Sequence, residues 1–311
     1  MALSYTQNLE DYHLWIGLGE KTQGFYIDIG AGHPVADNVS MWFYERGWSG
    51  IVVEPQPALA ALYASIRPRD ICFEGLVGRR AGTVDFHVFP RLHGLSTTVA
   101  HHAERSKVHG DDYETKAMAM CTLAELCERN LVGAIDFLKI DVEGAEADVL
   151  AGNDWRRFRP KVVVAEAIEP GTGAPAFAAW EPILLEAGYE HVLDDTLNRF
   201  YVAGEAQDVL ARFPRARAPW ESATHMYEIG RAPESDKHPD HALARELAKG
   251  FWASLPQLDP ALVAQLLARG RREESEPDVA RLAAELETDA MRAALGRIAC
   301  GYDGGQIVNE E

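Results

Sequence analysis

The sequence contains few cysteines and no long apolar run. Its four cysteines, Cys72, Cys121, Cys127 and Cys300, show no Cys-x-x-Cys spacing, so we expect neither a disulfide framework nor a zinc site. No apolar stretch approaches the roughly 20 residues that a membrane-spanning helix needs. Residues 1–20 also lack the apolar core of a signal peptide. We therefore expect a cytoplasmic protein without a membrane span.

Basic residues are also in the minority. The chain has 30 lysines and arginines against 48 aspartates and glutamates, which gives a formal net charge of −18. An acidic surface repels phosphate backbones, so we expect no nucleic acid partner. The nearest approach to a basic cluster is a group that we interpret as solvated surface arginines, namely Arg67, Arg69, Arg79 and Arg80.

Short apolar runs alternate with helical stretches through the first two thirds of the chain. This alternation predicts an α/β fold with a mostly parallel sheet and helices on both faces. The last two strands are joined by a short turn and must pair antiparallel. The predicted strands are 25–29, 50–54, 70–77, 83–89, 135–140, 161–167, 189–193 and 199–203. The predicted helices are 36–46, 58–66, 122–129, 145–151 and 176–187, and 90–116 reads as an irregular polar loop.

The composition changes after about residue 205. Segments 212–219 and 232–239 are rich in proline and charge, whereas 241–301 is rich in Ala, Leu, Arg and Glu. We predict a main domain over 1–205, a linker over 206–240 and a helical extension over 241–311. Apolar faces of these helices would pack on the main domain or on a second subunit, which leaves a homodimer open.

A glycine turn follows the first predicted strand of the sheet. Asp28, Gly30 and Gly32 stand in the sequence Asp-Ile-Gly-Ala-Gly between a strand and a helix. Glycines there allow a tight turn and close approach of a ligand to the backbone. A dinucleotide fingerprint needs a third glycine, and Val35 occupies that place. A nucleoside with a charged amino-acid tail fits better, with Asp28 facing the ammonium of the tail.

An acid ends the second strand. Glu54 is placed to accept hydrogen bonds from two ribose hydroxyls. A strand-end acid that points to solvent is the alternative interpretation. The glycine turn and Glu54 on consecutive strands together favour the functional one.

At these residues the sequence resembles the FkbM family of S-adenosylmethionine-dependent methyltransferases. The resemblance runs from about Ser4 to Ala203 and is most specific over Phe137–Gly152, FLKIDVEGAEADVLAG. Tyr26–Gly32 and Gly50–Pro55 support it. It implies a Rossmann-like class I methyltransferase with a seven-stranded, mostly parallel sheet that contains one antiparallel strand. It also implies S-adenosylmethionine as cofactor, with Gln7 folding over it.

The resemblance further implies O-methylation of a sugar, glycan or related small-molecule metabolite. Asp141 follows a central strand, where open α/β sheets place their ligands, and is a candidate base, acceptor-positioning group or metal ligand. Glu166 ends the neighbouring strand, so Asp141 and Glu166 together are a candidate Mg²⁺ site. Glu143 is either catalytic or a favourable first-turn acid. His33, where relatives often carry Asn or Asp, is the best placed of the candidate histidine bases, which also include His93, His101 and His102.

Two other functions remain open at this point. One is a nicotinamide-dependent oxidoreductase on a similar sheet, which the missing third glycine disfavours. The other is a catalytically silent cofactor-binding module of a biosynthetic complex. The retained acids Asp28, Glu54 and Asp141 disfavour the silent module through their chemistry.

Overall fold

A computed structural model describes residues 2–90, 92–109, 112–270 and 279–303. The chain divides into two compact units, Met1–Glu228 and Ile229–Glu311. No helix in these described ranges combines the length and apolar character needed to cross a membrane.

The strands are β1 Leu3–Ser4, β2 Phe25–Ile29, β3 Ser49–Val53, β4 Ile71–Phe73, β5 Leu76–Val77, β6 Gly82–Val88, β7 Glu114–Cys121, β8 Phe137–Ile140, β9 Val162–Glu166, β10 Tyr189–Asp194, β11 Asn198–Ala203 and β12 Thr224–His225. The α-helices are α1 Glu10–Gly17, α2 Met41–Glu45, α3 Pro57–Ile66, α4 Ala100–Ser106, α5 Leu123–Arg129, α6 Glu146–Ala151, α7 Glu181–Glu186, α8 Gln207–Arg212, α9 His241–Ser254, α10 Pro260–Gly270, α11 Val279–Leu286 and α12 Asp289–Asp303. Short 3₁₀ turns occur at His93–Leu95, Lys107–His109, Phe177–Ala179, Trp220–Ser222, Met226–Glu228 and Leu255–Gln257.

The main sheet has seven strands in the order β10-β11-β9-β8-β2-β3-β4. Strand β11 is antiparallel to both of its neighbours, and the other pairings are parallel. The central strands β8 and β9 are apolar along almost their whole length because both faces of the sheet are covered. The predicted α/β sheet, mostly parallel with one antiparallel strand, is therefore confirmed.

A second sheet was not predicted. The stretch 70–77, predicted as one strand, divides into β4 of the main sheet and β5 of a three-stranded sheet ordered β5-β7-β6. The predicted strand at 83–89 is β6 of this small sheet, and its partner β7 escaped prediction. Since β7 is mostly exposed and Thr115 is its only β-branched residue, its sequence carries little of the composition that marks a strand.

Two further predictions also need correction. The segment 90–116 contains helix α4 and the start of β7, so it is not irregular throughout. The helix predicted over 36–46 forms only as α2. Asn38 lies before this helix: its side-chain amide donates to the Ala31 carbonyl and its side-chain oxygen accepts from the Met41 backbone amide. This side chain therefore shapes a loop before the helix begins.

The segment predicted as a linker, 206–240, is structured as far as Glu228 within the first unit. It forms helix α8 and strand β12, which pairs in parallel with β1. The second unit is helical in its described part, with α9 against α12 and α10 against α11. A small cluster of buried residues, Val263, Ala264, Leu282 and Leu286, forms its core.

A buried arginine forms hydrogen bonds to several chain segments that support the carboxyl edge of the sheet. Arg67 is only 1% exposed and its guanidinium lies 2.7 Å from Asp70. It also donates to the oxygens of Asn38, Tyr26 and Ser40 at 2.8–2.9 Å. The interpretation of Arg67 as a solvated surface residue is therefore wrong, because a guanidinium with this many partners is stable without water.

We expect Arg67→Met to lower the free energy of unfolding by about 3–5 kcal/mol, since it leaves the buried Asp70 carboxylate without its cation. Urea denaturation of the full chain measures this. Arg79→Met is the matched control, because Arg79 pairs with Asp148 at the surface, where each side chain is more than half exposed. Equal effects of the two changes would contradict a structural role for the Arg67 network.

Candidate active site at the carboxyl edge of the sheet

The glycine turn after β2 requires its first glycine. Gly30 has a φ of +76°, and a Cβ atom there would lie 1.7 Å from the carbonyl oxygen of Asp141. The close approach arises because β2 and β8 are neighbours and both chains turn at the same edge. Gly32 also has positive φ, but a Cβ there would meet nothing within 4 Å. The backbone at Gly32 is thus open to a ligand.

A cavity of about 360 Å³ lies at this edge, which is within the size range of small-molecule sites. It brings together most of the predicted site residues, namely Gln7, Gly30, Gly32, His33, Glu54, Asp141 and Glu143. The parallel neighbours β2, β3 and β8 all end here, so their following residues meet although they are far apart in sequence.

Glu54 is held at the cavity wall by two backbone donors. Its carboxylate accepts hydrogen bonds from the Gly32 amide at 2.9 Å and the Gln56 amide at 2.8 Å. Burial raises the pKa of Glu54 to about 7. Each oxygen keeps a lone pair that a ligand hydroxyl can use. The alternative interpretation, an acid pointing to solvent, does not match its 3% exposure.

Lys139 is the central site residue that sequence reasoning missed. Its ammonium donates to the Gly30 carbonyl at 2.9 Å and lies 3.3 Å from Asp141 and 3.7 Å from Asp28. Burial alone would lower the pKa of Lys139, but the carboxylates of Asp141 and Asp28 outweigh it and raise the pKa. A lysine within the apolar strand FLKI was the available signal, because a buried lysine needs acidic partners.

Asp28 occupies a different place from the predicted one. Its carboxylate is completely buried and accepts a 2.6 Å hydrogen bond from the Ser40 hydroxyl. The other oxygen faces Lys139. Among the described residues, those that line the cavity do not include Asp28. Asp28 is therefore placed to stabilise Lys139 and the glycine turn, and not to contact the ammonium of a ligand directly.

Three carboxyl groups converge beside Lys139. One oxygen from each of Asp141, Glu143 and Glu166 lies within 4.8 Å of the others. Burial, followed by the charge of Asp141, raises the pKa of Glu143 to about 9 and that of Glu166 to about 11. Carboxyl groups this close either share protons or bind a cation. The cluster is therefore a candidate site for shared protons or for a cation.

The backbone around Glu143 is fixed from two sides. Glu143 has a φ of +55°, which is uncommon for a residue with a side chain. Its carbonyl accepts hydrogen bonds from the Thr97 hydroxyl and the His102 ring. Glu146 accepts from the amides of Val142 and Gly144. These contacts hold the strained turn that aims Glu143 into the cavity.

The candidate histidines do not behave alike. Nδ1 of His33 accepts hydrogen bonds from the Val35 and Ala36 amides, so its remaining ring nitrogen carries the proton when the ring is neutral. His33 is thereby suited to donate to a ligand rather than to act as a base. His93 lines the cavity. His101 is exposed, whereas His102 is only 7% exposed and its ring donates to the Glu143 carbonyl.

Comparison with known proteins identifies the family of this domain. The family model described as the methyltransferase FkbM domain matches residues 28–191, just over half of the chain. The match includes the glycine turn, Glu54 and the acidic cluster, and it confirms the resemblance drawn from the sequence. No curated protein matches the chain.

We expect Gly30→Ala to destabilise the chain by more than about 2 kcal/mol, because the new Cβ collides with the Asp141 carbonyl at a position of positive φ. Gly94→Ala is the control within the same cavity. A Cβ at Gly94 meets nothing within 4 Å, so its effect should stay within about 1 kcal/mol. Urea denaturation compares the two, and a Gly30→Ala protein as stable as wild type would refute the close approach.

Proposed function

The chain belongs to the family of FkbM methyltransferases, and we propose that it transfers a methyl group from S-adenosylmethionine to a hydroxyl oxygen of a sugar or related metabolite. The observation that carries this proposal is one cavity that joins a glycine turn, a buried acid suited to ribose and a partly exposed carboxylate at neighbouring strand ends. The strand order, with a single reversed strand next to the edge, supports assignment to the Rossmann-like class I architecture.

The two ends of the cavity suit the two ends of the proposed cofactor. Glu54 is placed to accept hydrogen bonds from the ribose hydroxyls, beside the open backbone of Gly32. Apolar side chains nearby, Leu76, Val77 and Phe86, line the same cavity and suit an adenine ring. The amino-acid end would then lie toward the Gly30 turn, where Gln7 also lines the wall.

S-Adenosylmethionine, when bound, supplies an electrophilic methyl group on a sulfonium that leaves as a neutral thioether. The chain's own contribution is to position the acceptor hydroxyl and remove its proton. Asp141 is the best-placed acceptor of that proton, because its side chain is 38% exposed and is fixed in position by the Lys139 ammonium 3.3 Å away. His33 is placed to donate a hydrogen bond to the acceptor or cofactor.

The same acidic cluster is also suited to bind a divalent cation. Carboxylate oxygens are the ligands that Mg²⁺ prefers, and Asp141 and Glu166 with Glu143 supply three of them. A cation there would stabilise the acceptor in its ionised form. The Lys139 ammonium already provides one positive charge beside Asp141. Transfer measured with added Mg²⁺ and with a chelator separates the two states.

The cofactor is tested by calorimetric titration with S-adenosylhomocysteine and, separately, with NAD⁺. We expect micromolar binding of the first and none of the second. Glu54→Gln should weaken S-adenosylhomocysteine binding about tenfold, because the neutral amide loses the charge that strengthens hydrogen bonds from ribose. Binding of NAD⁺ alone would favour the oxidoreductase, and an unchanged affinity of Glu54→Gln would remove Glu54 from the ribose site.

The role of Glu54 also predicts how ligand affinity depends on pH. With a pKa of about 7, Glu54 is anionic at pH 8 and mostly protonated at pH 6. Affinity for 5′-methylthioadenosine, which has the ribose but no amino-acid tail, should therefore fall about tenfold from pH 8 to pH 6. Glu54→Gln should show a flat profile, and an equally steep one would assign the titration to another group.

We expect Asp141→Asn to lower methyl transfer at least 100-fold, because the amide cannot take the proton of the acceptor. Binding of S-adenosylhomocysteine should survive, since Glu54 and the glycine turn are unchanged. Release of S-adenosylhomocysteine over a panel of methyl glycosides and oligosaccharides measures turnover. Asp148→Asn is the control, as Asp148 lies in a surface ion pair. Full activity of Asp141→Asn would exclude Asp141 as the base.

A further inference from the structure

A group of three aromatic rings, two of them exposed, lies at the end of the first unit. This aromatic platform consists of Trp220, His225 and Tyr227. Trp220 and Tyr227 are 38% and 60% exposed, whereas His225 is completely buried. Exposed aromatic side chains that cluster in this way mark binding surfaces more often than isolated ones do.

The Trp220 ring is fixed before any ligand arrives. One face stacks on His225, with ring centroids 3.4 Å apart and planes 10° apart. The indole N–H donates to Glu228 at 2.9 Å, and the His225 ring donates to the Trp220 carbonyl. With its position set by His225 and Glu228, Trp220 presents its exposed surface at little entropic cost.

Short contacts connect the platform to the rim of the cavity. Ser4 of β1 pairs with His225 of β12, and the carbonyl of the next residue, Tyr5, accepts a hydrogen bond from the Asn38 amide. Asp37, beside Asn38, lines the cavity. The pKa of Tyr227 is raised by loss of hydration and then by the charges of Glu228 and Asp37, so the cavity-lining Asp37 lies within electrostatic range of the platform.

We infer that the aromatic platform binds a neutral sugar ring of the acceptor, beyond the ring that receives the methyl group. The inference rests on the proposed function and makes the acceptor an oligosaccharide. A pyranose offers an apolar C–H face for the indole, and its hydroxyls donate to carboxylates such as Glu228 and Asp37. The same negative charges repel uronates and phosphates. The platform lies outside the matched residues 28–191, so the family match does not cover it.

The test is saturation-transfer NMR of the full chain with neutral tetrasaccharides of glucose, mannose and galactose, with tetragalacturonate as the anionic probe. We expect at least one neutral tetrasaccharide to bind and Trp220→Ala to weaken it about tenfold. Trp220→Phe should retain part of the affinity because a flat ring remains. Phe251→Ala in the second unit, at a side chain 40% exposed, is the control and should change nothing.

S-Adenosylhomocysteine binding, measured on the same proteins, separates this inference from the proposed function. Wild type and Trp220→Ala should bind it equally. Cofactor binding without Trp220-dependent binding of any neutral tetrasaccharide overturns the platform and leaves the methyltransferase proposal standing. The reverse result would sustain the platform and remove the cofactor assignment. Preference for tetragalacturonate, or a dimer that Trp220→Ala dissociates without any glycan binding, also overturns the inference.

Discussion

One buried ammonium determines how the candidate site is assembled. Lys139 lies in the middle of the sheet, and its charge must be balanced where water is excluded. It is balanced by the Asp28 and Asp141 carboxylates and by the Gly30 carbonyl. These three groups belong to the ends of β2 and β8. The ammonium therefore holds the glycine turn after β2 against the turn after β8 that contains Asp141 and Glu143, which we call the acidic turn. Lys139 therefore contacts both the glycine turn, where we propose that the cofactor binds, and Asp141, where we propose that the acceptor binds.

The acidic turn after β8 receives further support from a part of the chain that lies far from it in sequence. Thr97 and His102, before and within α4, both donate to the Glu143 carbonyl. Gly144 also needs to be a glycine, because a Cβ there would lie 2.2 Å from the His102 ring. The turn is therefore clamped between its own helix, through Glu146, and α4. This explains how Glu143 is kept in a backbone conformation that few residues with side chains adopt.

The first unit extends beyond the matched family domain on both sides. Residues before Asp28 supply Gln7 of the cavity and strand β1, and residues after His191 supply β11, α8 and β12. The β1–β12 pairing joins these two additions to each other. A buried acidic pair, Glu10 and Asp195, connects them a second time, because both carboxylates accept from the Asn198 side-chain amide. The two additions are thus joined by backbone pairing and by side-chain hydrogen bonds.

The sequence by itself determined the order of the main strands along the chain, the glycine turn and the place of Glu54 at a strand end. Each of these depends on residues close together in the chain, where apolar runs, glycines and strand-end acids leave local patterns. Only the tertiary structure decided that Lys139 lies under the site, that Glu143 joins Asp141 and Glu166, and that Arg67 and His102 are buried. Those outcomes depend on which strand ends meet and on which charges are desolvated together. Contacts between distant segments impose both; the lysine within FLKI indicates locally that acidic partners are needed, but not which ones.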